Sequence, residues 1–411
     1  MPHPAILLPL PFSDKARPAH DRTKSLLHRL ILCAGLADGV STIENAAHSQ
    51  DIDATLRCLT ALGGQWTEPR PHVFQITGIG GIPRAKELPL FDCGESGSTL
   101  RFFLPVALAV CGGGIFTGRG RLMERPLEPY FDLFHKKGIS VQQTDGTLTV
   151  RGVLTPGDYV LPGNVSSQFF SGLLLALPLL EGESVLRAAT PLESADYVSM
   201  TREALRIACI PTGELPGQSC FQVFPAGFQP FSVPAEADWS QAAFWIAAAF
   251  PGRRSLQIRG LNPGSSQGDK RVADLAQKLA NSGDRTVDLS PCPDLLPPLA
   301  VMAAVRQGTT QFVNAARLRL KESDRLASTA ALIAALGGSV RMSSDTLEIS
   351  GGALRGGVVD GFHDHRIVMA AAAAAPHCTQ PVTIRGAEAV EKSYPSFWDD
   401  YKRLGGNFDV L

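Results

Sequence analysis

The sequence lacks an excess of charge of either sign. Its 411 residues carry 38 Lys and Arg against 39 Asp and Glu, a formal net charge of −1, and no block of Lys or Arg stands out. Binding to a phosphate backbone depends on clustered cations. We therefore expect no nucleic-acid partner.

Long apolar runs and paired cysteines are also missing. The longest apolar stretches, such as residues 367–375, are too short to cross a bilayer. None of the eight cysteines belongs to a Cys-x-x-Cys pair, and the first residues lack the apolar core of a secretory signal. These absences predict a cytoplasmic, soluble protein with reduced thiols and no membrane partner.

Two common cofactor signatures are absent as well. No Gly-x-x-x-x-Gly-Lys-Ser/Thr motif follows a predicted strand, which argues against a P-loop nucleotide site. His363 and His365 lack the Cys, His and acidic neighbours that would complete a metal coordination shell. We expect neither a metal nor a cofactor.

The sequence does contain a pattern that recurs six times. An apolar helix and strand, at 30–43, 102–116, 171–186, 244–258, 299–312 and 367–384, alternate with an amphipathic helix that usually stops at glycine. Helices that are apolar all round belong in the interior, and helices with a polar face belong outside. We predict an α/β fold of two similar domains, each of three βαβαββ units, over residues 21–236 and over residues 1–20 plus 237–411.

Each apolar helix begins with small polar or charged residues, as at Ser166-Ser167-Gln168 and Asp364-His365-Arg366. A helix N-terminus offers unpaired N–H groups and the positive end of the helix dipole, both of which attract anions. Six such starts in two similar domains predict an anion-binding site in the cleft between them.

The segment 317–326 reads Arg-Leu-Arg-Leu-Lys-Glu-Ser-Asp-Arg-Leu and changes from alternating to helical periodicity. We predict a strand over residues 317–320 that leads into a helix capped by Ser323, with Asp324 in the first turn. Four ionisable groups then crowd this corner.

Several motifs, in order, resemble the enolpyruvyl transferase family, and within it the branch whose acceptor is shikimate 3-phosphate. The similar residues run from about 23 to 397. The most specific stretches are Glu-Ser-Gly-Ser-Thr-Leu-Arg at 95–101, Leu-Met-Glu-Arg-Pro at 122–126, Val-Ser-Ser-Gln at 165–168, Leu-Lys-Glu-Ser-Asp-Arg-Leu at 320–326, Asp-His-Arg at 364–366 and Lys-Ser-Tyr-Pro at 392–395. The resemblance implies a monomeric enzyme with its active site in the interdomain cleft.

The resemblance also implies two substrate sites, with the first domain mainly binding shikimate 3-phosphate and the second mainly catalytic and binding phosphoenolpyruvate. Guanidinium groups suit the carboxylate and phosphate that each substrate carries. Residues matching the shikimate 3-phosphate site are Lys24, Ser25, Arg29, Ser166, Ser167, Gln168, Ser194, Tyr197, Asp294 and Lys321. Residues matching the phosphoenolpyruvate site are Lys24, Gly97, Arg125, Gln168, Arg325, Arg366 and Lys392.

The implied reaction, a step of aromatic amino acid and chorismate biosynthesis, is an addition followed by an elimination. The 5-hydroxyl of shikimate 3-phosphate attacks C2 of phosphoenolpyruvate while C3 gains a proton, and C3 then loses a proton as phosphate leaves. We assign Glu322 to the proton on C3 and Asp294 to the hydroxyl, with Lys24 and His365 stabilising charge. Glyphosate is expected to compete with phosphoenolpyruvate.

The first motif departs from the family pattern. Family members usually carry Pro-Gly-Ser-Lys-Ser followed by Ser-Asn-Arg, whereas here Asp-Arg-Thr at 21–23 precedes Lys24, and His28 precedes Arg29. Glu95 and Arg317 also stand where other members have asparagine.

Two alternatives stay open. One is UDP-N-acetylglucosamine 1-carboxyvinyltransferase, whose active loop usually brings a cysteine that residues 118–126 do not contain. The other is a non-catalytic anion-binding relative, which the altered first motif suggests.

Overall fold

The structure is a computed structural model of the chain. It describes residues 5–8, 24–81, 87–216, 219–251 and 258–410, with only the backbone described for residues 5–8. Of the predicted features, the altered Asp-Arg-Thr sequence at 21–23 and the first domain junction near residue 20 lie outside the described residues.

The described helices alternate between buried and amphipathic, as the sequence predicts. Nine of the ten residues of α9 are buried, whereas α8 buries only Val272 and Leu279. The helices are α1 (Lys24–Leu36), α2 (Gln50–Leu62), α3 (Gly97–Cys111), α4 (Glu128–Lys136), α5 (Ser167–Ala176), α6 (Ala195–Ile207), α7 (Trp239–Ala249), α8 (Val272–Ala280), α9 (Leu296–Val305), α10 (Arg325–Ala335), α11 (His365–Ala374) and α12 (Phe397–Arg403).

Short strands fill the intervals between these helices. They are β1 (Ala5–Leu8), β2 (Val40–Glu44), β3 (Gln65–Arg70), β4 (Val73–Thr77), β5 (Leu90–Asp92), β6 (Gly113–Thr117), β7 (Ser140–Thr144), β8 (Thr147–Arg151), β9 (Gly157–Leu161), β10 (Ser184–Ala188), β11 (Thr212–Glu214), β12 (Cys220–Val223), β13 (Ser232–Pro234), β14 (Arg285–Asp288), β15 (Thr309–Val313), β16 (Ser339–Met342), β17 (Leu347–Ser350), β18 (Gly357–Asp360), β19 (Val382–Arg385) and β20 (Asn407–Val410).

Within the described residues the strands form five four-stranded sheets of one design. In the sheet β5-β6-β8-β7, for example, the first pair is parallel and the other two pairs are antiparallel. With α3 and α4 between its strands, this sheet makes a βαβαββ unit, and the prediction of such units is confirmed. For the unit that contains α7 and α8, the strand predicted after α7 falls largely in residues 252–257, outside the described residues.

Two sheets borrow a strand from a distant part of the chain. Strand β13 follows the third unit but pairs in parallel with β2 of the first, where Val233 lies opposite Ile43. Strand β1 pairs with both β19 and β20, and Ala5 lies opposite Ile384 and Val410. The first and last of these sheets are therefore closed by residues remote in sequence.

The chain divides into two compact units. One comprises Arg22–Glu236 and the other Met1–Asp21 with Ala237–Leu411; they are called the 22–236 unit and the 237–411 unit below. Each has its own apolar core. In the part of the chain that the structure describes, no helix is long and apolar enough to cross a membrane.

The strand predicted over residues 317–320 is wrong, because Ala316–Leu320 form a 3-10 helix. The Asp345 carboxylate accepts the N–H of Ala316 at 2.6 Å, and Arg319 donates to the carbonyl of Ser343 at 2.8 Å. Leu318 is fully buried between the two arginines. The alternation of Arg and Leu thus reflects one inward residue in a tight turn.

Candidate active site

Arg325, the first residue of α10, lies at the centre of a buried cluster in the 237–411 unit. Its side chain is 1% exposed. Its Nε and Nη2 donate to Asp364 at 3.0 and 3.3 Å, its Nη1 donates to Asp294 at 2.8 Å, and Nη2 also donates to Glu322. Burial alone would lower the pKa of Arg325, but the three carboxylates raise it above its usual value. Arg325 is therefore a permanent cation that orients three acids.

The Asp294 carboxylate forms ion pairs with three cationic side chains. Its carboxylate lies 3.2 Å from Lys321 Nζ, 2.8 Å from Arg325 Nη1 and 3.1 Å from Arg366 Nη2. Burial would raise the pKa of Asp294, but Arg366, Lys321 and Arg325 outweigh burial and hold this pKa well below its usual range. Asp294 is therefore an ionised hydrogen-bond acceptor at neutral pH.

Lys321 and Glu322 are the more accessible members of this cluster, with side chains 26% and 22% exposed. Burial lowers the pKa of Lys321, and Asp294 opposes that shift. Both residues occupy the loop between the 3-10 helix and α10. The partly exposed end of the cluster thus carries one ammonium and one carboxylate.

The cap of α10 is Asp324, not Ser323 as predicted from the sequence. The Asp324 carboxylate accepts the N–H of Ala327 at 3.0 Å. The buried hydroxyl of Ser323 instead donates to Asp364 at 2.9 Å. Asp324 therefore stabilises the start of α10, and Ser323 links that start to α11 through a hydrogen bond.

The start of α11 brings two further basic side chains, Arg366 and Lys392, close to each other. Asp364 caps the helix by accepting the N–H of Arg366 at 2.9 Å, and His365 is buried as its first residue. Lys392 ends a 3-10 helix, and its Nζ donates to the carbonyl of His363 at 2.9 Å. Arg366 and Lys392 are thus held near one helix N-terminus, an arrangement that favours an anion.

Sequence reasoning missed Asp269, a buried acid near this cluster. The hydroxyl of Ser240, on α7, donates to the Asp269 carboxylate. Burial and the neighbouring Asp294 raise the pKa of Asp269 to about 6, although Arg366 opposes the shift. Its only sequence signal is an acid in the short Gln-Gly-Asp segment before α8.

In the 22–236 unit, Gly97 begins α3 between two guanidinium groups. A Cβ on Gly97 would lie 2.8 Å from Nη1 of Arg101 and 2.8 Å from Nη1 of Arg125. Arg101 donates to Gln168 at 3.1 Å, and the amide of Gln168 donates to Ser98 at 2.9 Å. Two cations and a helix N-terminus converge at Gly97, although only Arg125 was predicted for the site.

Lys24 and Arg29 both lie on α1, but in different surroundings. Lys24 Nζ is 2.7 Å from the Asp51 carboxylate, and both side chains are partly exposed. Arg29 is 1% exposed and donates to the carbonyls of Ser25 and Tyr197 at 2.6 and 3.1 Å. Arg29 therefore holds two residues of the predicted acceptor site through their backbone.

The remaining predicted residues of the acceptor site lie at helix starts of the same unit. Ser166 caps α5 by accepting the N–H of Gln168 at 3.3 Å, and Ser167 follows as a buried residue. Ser194 precedes α6 with a φ of 53°, a conformation uncommon for a residue with a side chain. Tyr197 lies one turn further along α6.

Each unit thus gathers part of the predicted set. Sequence reasoning gave no role to Asp51, Arg101, Asp269 and Asp364, although Arg101 and Asp364 belong to the motifs at 95–101 and 364–366. Asp51, Arg101 and Asp364 act as partners of predicted residues. Among the described residues, no group of three or more His, Cys, Asp or Glu side chains is arranged to hold a metal ion.

Comparison with known proteins gives one family. A family model described as EPSP synthase (3-phosphoshikimate 1-carboxyvinyltransferase) matches residues 22–401. Similar proteins named 3-phosphoshikimate 1-carboxyvinyltransferase occur in Clostridium acetobutylicum, at 41% identity, and in Clostridium novyi, at 39%; each alignment covers 94% of both chains.

Solved structures agree on the fold. An EPSP synthase from Acinetobacter baumannii superposes with a TM-score of 0.81 at 23% identity, covering all of both chains. An enolpyruvyl transferase from Streptomyces tendae superposes with a TM-score of 0.78 at 18% identity, covering 100% of this chain and 99% of that one. From the family model and its relatives, the chain belongs to the EPSP synthase (3-phosphoshikimate 1-carboxyvinyltransferase) family.

Proposed function

We propose that this chain is a transferase of aromatic amino acid biosynthesis that moves the enolpyruvyl group of phosphoenolpyruvate to the 5-hydroxyl of shikimate 3-phosphate. The products are phosphate and 5-enolpyruvylshikimate 3-phosphate. Beyond family membership, the observation that carries the proposal is the Asp294 carboxylate, which Lys321, Arg325 and Arg366 hold ionised next to Glu322.

The cations of this cluster have a double use. While they pair with Asp294, they make it a weak base. When Lys321 turns to the acceptor and Arg366 to a phosphoenolpyruvate anion, their pull on Asp294 falls, and its affinity for the proton of the 5-hydroxyl rises. Arg325 keeps its three carboxylates and supplies a fixed positive charge toward phosphoenolpyruvate.

Glu322 serves C3 of phosphoenolpyruvate. Arg325 holds one oxygen of the Glu322 side chain, which remains partly exposed. In its protonated form this acid can deliver a proton to C3, and the resulting carboxylate can take one back during elimination. Lys24 and His365 stabilise the charge that develops on the transferred group, and Lys392 helps Arg366 to bind its anion.

The 22–236 unit mainly holds the acceptor, and the 237–411 unit mainly supplies catalysis. Shikimate 3-phosphate is bound by Lys24, Ser25, Ser166, Ser167, Gln168, Ser194 and Tyr197, with Arg29 acting through the backbone of Ser25 and Tyr197. Phosphoenolpyruvate approaches Gly97, where Arg125 and Gln168 surround the start of α3. The absence of a side chain at Gly97 lets the guanidinium groups of Arg101 and Arg125 lie close to the start of α3, where they can meet an anionic ligand.

The proposal includes a cytoplasmic monomer. All eight cysteines are unpaired thiols, which suits a reducing compartment.

Phosphate release tests the function directly. Purified protein is mixed with phosphoenolpyruvate and either shikimate 3-phosphate or UDP-N-acetylglucosamine. We expect phosphate release when the acceptor is shikimate 3-phosphate and none when it is UDP-N-acetylglucosamine. Release only with the nucleotide sugar would identify the sister activity, and no release with either would favour a non-catalytic anion-binding relative.

A further inference from the structure

Four buried side chains in the 22–236 unit form a continuous hydrogen-bonded chain that the mechanism above does not use. His28 lies on α1, Thr55 on α2, and Ser96 and Thr99 at the start of α3; each is 1% exposed. The His28 Nδ1–Thr55 Oγ1 distance is 2.6 Å, and the Thr55–Thr99 and Thr99–Ser96 hydroxyl distances are both 2.7 Å. Polar groups buried in an apolar core are costly unless they are paired, so this chain constrains how the three helices pack.

The hydroxyl protons of the chain run in one direction. Thr99 donates to Ser96, and a hydroxyl has only one proton, so Thr55 must be the donor to Thr99. Thr55 also lies 3.3 Å from the carbonyl of Asp51. Donation there would leave two lone pairs facing each other across the shorter Thr55–Thr99 contact, so the proton goes to Thr99.

His28 must therefore donate to Thr55 from a protonated Nδ1. Among the described residues, no group hydrogen-bonds its Nε2, and a buried lone pair there costs less than a buried N–H would. Burial and the adjacent cations Lys24 and Arg29 lower the pKa of His28 well below its usual value. The ring is thus neutral and is held in one tautomer.

The two ends of the hydrogen-bonded chain, His28 and Ser96, lie beside the two proposed substrate sites. His28 sits one residue before Arg29 on α1, the helix that begins with Lys24. At the other end, Ser96 accepts the N–H of Thr99 at 3.2 Å and caps α3, whose first residue is Gly97.

We propose that His28, Thr55 and Thr99 are positioning residues that fix the Gly97 turn against α1 and so set the affinity for phosphoenolpyruvate. This inference rests on the proposed function. None of the three is assigned to either substrate. The hydrogen-bonded chain needs only an N–H donor at position 28. The family usually has asparagine there, and an asparagine amide supplies such a donor.

Steady-state kinetics test the inference with three variants and a matched control. Thr55→Val and His28→Leu remove a link, whereas His28→Asn keeps the donor. We expect the first two to raise KM for phosphoenolpyruvate about tenfold, which corresponds to roughly one buried hydrogen bond of 1.4 kcal/mol. KM for shikimate 3-phosphate should change by less than about threefold, and His28→Asn should stay near wild type.

The control is Thr60→Val, at an exposed position on the same helix, where the threonine hydroxyl donates to the carbonyl of Leu56 at 3.1 Å. It should match wild type. An unchanged KM for phosphoenolpyruvate in Thr55→Val would overturn the proposal. So would an equal loss for both substrates, which indicates general damage.

A second measurement does not depend on activity. In protein labelled with ¹⁵N-histidine, the signal lost in His28→Asn should report a neutral ring protonated at Nδ1, unchanged between pH 5.5 and 8. A ring protonated at Nε2, or one that titrates in this range, contradicts the chain. If wild type releases phosphate with neither acceptor, the proposed function fails, and this spectrum still decides the hydrogen-bonded chain.

Discussion

Arg325 and Asp364 meet as two planar forks inside the 237–411 unit. The guanidinium Nε lies 3.0 Å from one carboxylate oxygen and Nη2 lies 3.3 Å from the other, with Arg325 1% exposed and Asp364 fully buried. The pair joins the first residue of α10 to the cap of α11. The start of α10, which follows the loop that carries Glu322, and the start of α11, which carries Arg366, are therefore fixed to each other.

Asp364→Asn should destabilise this unit. The change leaves a buried guanidinium with less negative charge around it, and breaking a buried ion pair costs about 3 kcal/mol. Urea unfolding monitored by circular dichroism measures the loss. Asp158→Asn breaks the exposed pair with Arg187 and should cost less than about 0.5 kcal/mol. Equal losses in the two variants would mean that the Arg325 pair adds nothing beyond a surface contact.

Glu322→Gln should lose turnover and keep phosphoenolpyruvate affinity. The amide can still accept the hydrogen bond from Arg325 but cannot exchange a proton with C3, so kcat should fall about 100- to 10,000-fold. Phosphate-release kinetics and phosphoenolpyruvate titration measure the two quantities. Glu348→Gln, on β17 with a side chain that is 38% exposed, serves as the control. Near-normal kcat in Glu322→Gln would remove this residue from the chemistry.

Gly97→Ala should weaken phosphoenolpyruvate binding. The new methyl group would lie 2.8 Å from the guanidinium groups of Arg101 and Arg125, so one must move, and we expect KM for phosphoenolpyruvate to rise about tenfold or more. Glyphosate inhibition should weaken in parallel. Gly352→Ala is the matched control, since nothing lies within 4 Å of its Cβ position. An unaltered KM in Gly97→Ala would mean that the ligand does not approach this turn.

Asp269 should make stability depend on pH. Burial and then Asp294 raise its pKa from 3.8 to about 6, so the protonated acid favours the folded state. This contribution is complete below about pH 4 and is lost as the pH rises through 6, with a limit of roughly 3 kcal/mol. Unfolding free energies of wild type and Asp269→Asn at pH 5 and pH 7.5 measure it: wild type should lose more on going to pH 7.5. Parallel changes in the two proteins would show that Asp269 does not titrate in this window.

The sequence predicts features that depend on local periodicity. Helix α9 reads as interior because every position is apolar, and a glycine predicts the end of α2, where Gly63 has a φ of 107°. Local patterns also mislead where a tertiary contact decides. Arg317 to Leu320 alternate like a strand, yet the bond from Ala316 to Asp345 turns them into a 3-10 helix.

Partners distant in sequence were harder to predict. Arg325 and Arg29 were both expected to face substrate, but the structure gives Arg325 three carboxylates and gives Arg29 two backbone carbonyls. No spacing rule connects Arg325 to Asp364 or Gly97 to Arg125, because these contacts arise only after separate structural elements have packed. The sequence indicated which residue types belong to the site but did not indicate which of these residues contact each other.

The pairing of β1 between β19 and β20 constrains how this chain is made. Strand β1 is synthesised about 400 residues before β20 and cannot pair with it until those residues have been added, which takes about 20 to 80 seconds at 5–20 residues per second. The 22–236 unit, by contrast, takes β13 from its own last residues and is complete before residues 237–411 are synthesised. We expect the 22–236 unit to fold during translation and the 237–411 unit to finish afterwards, so a tag that blocks β1 should impair the late step selectively.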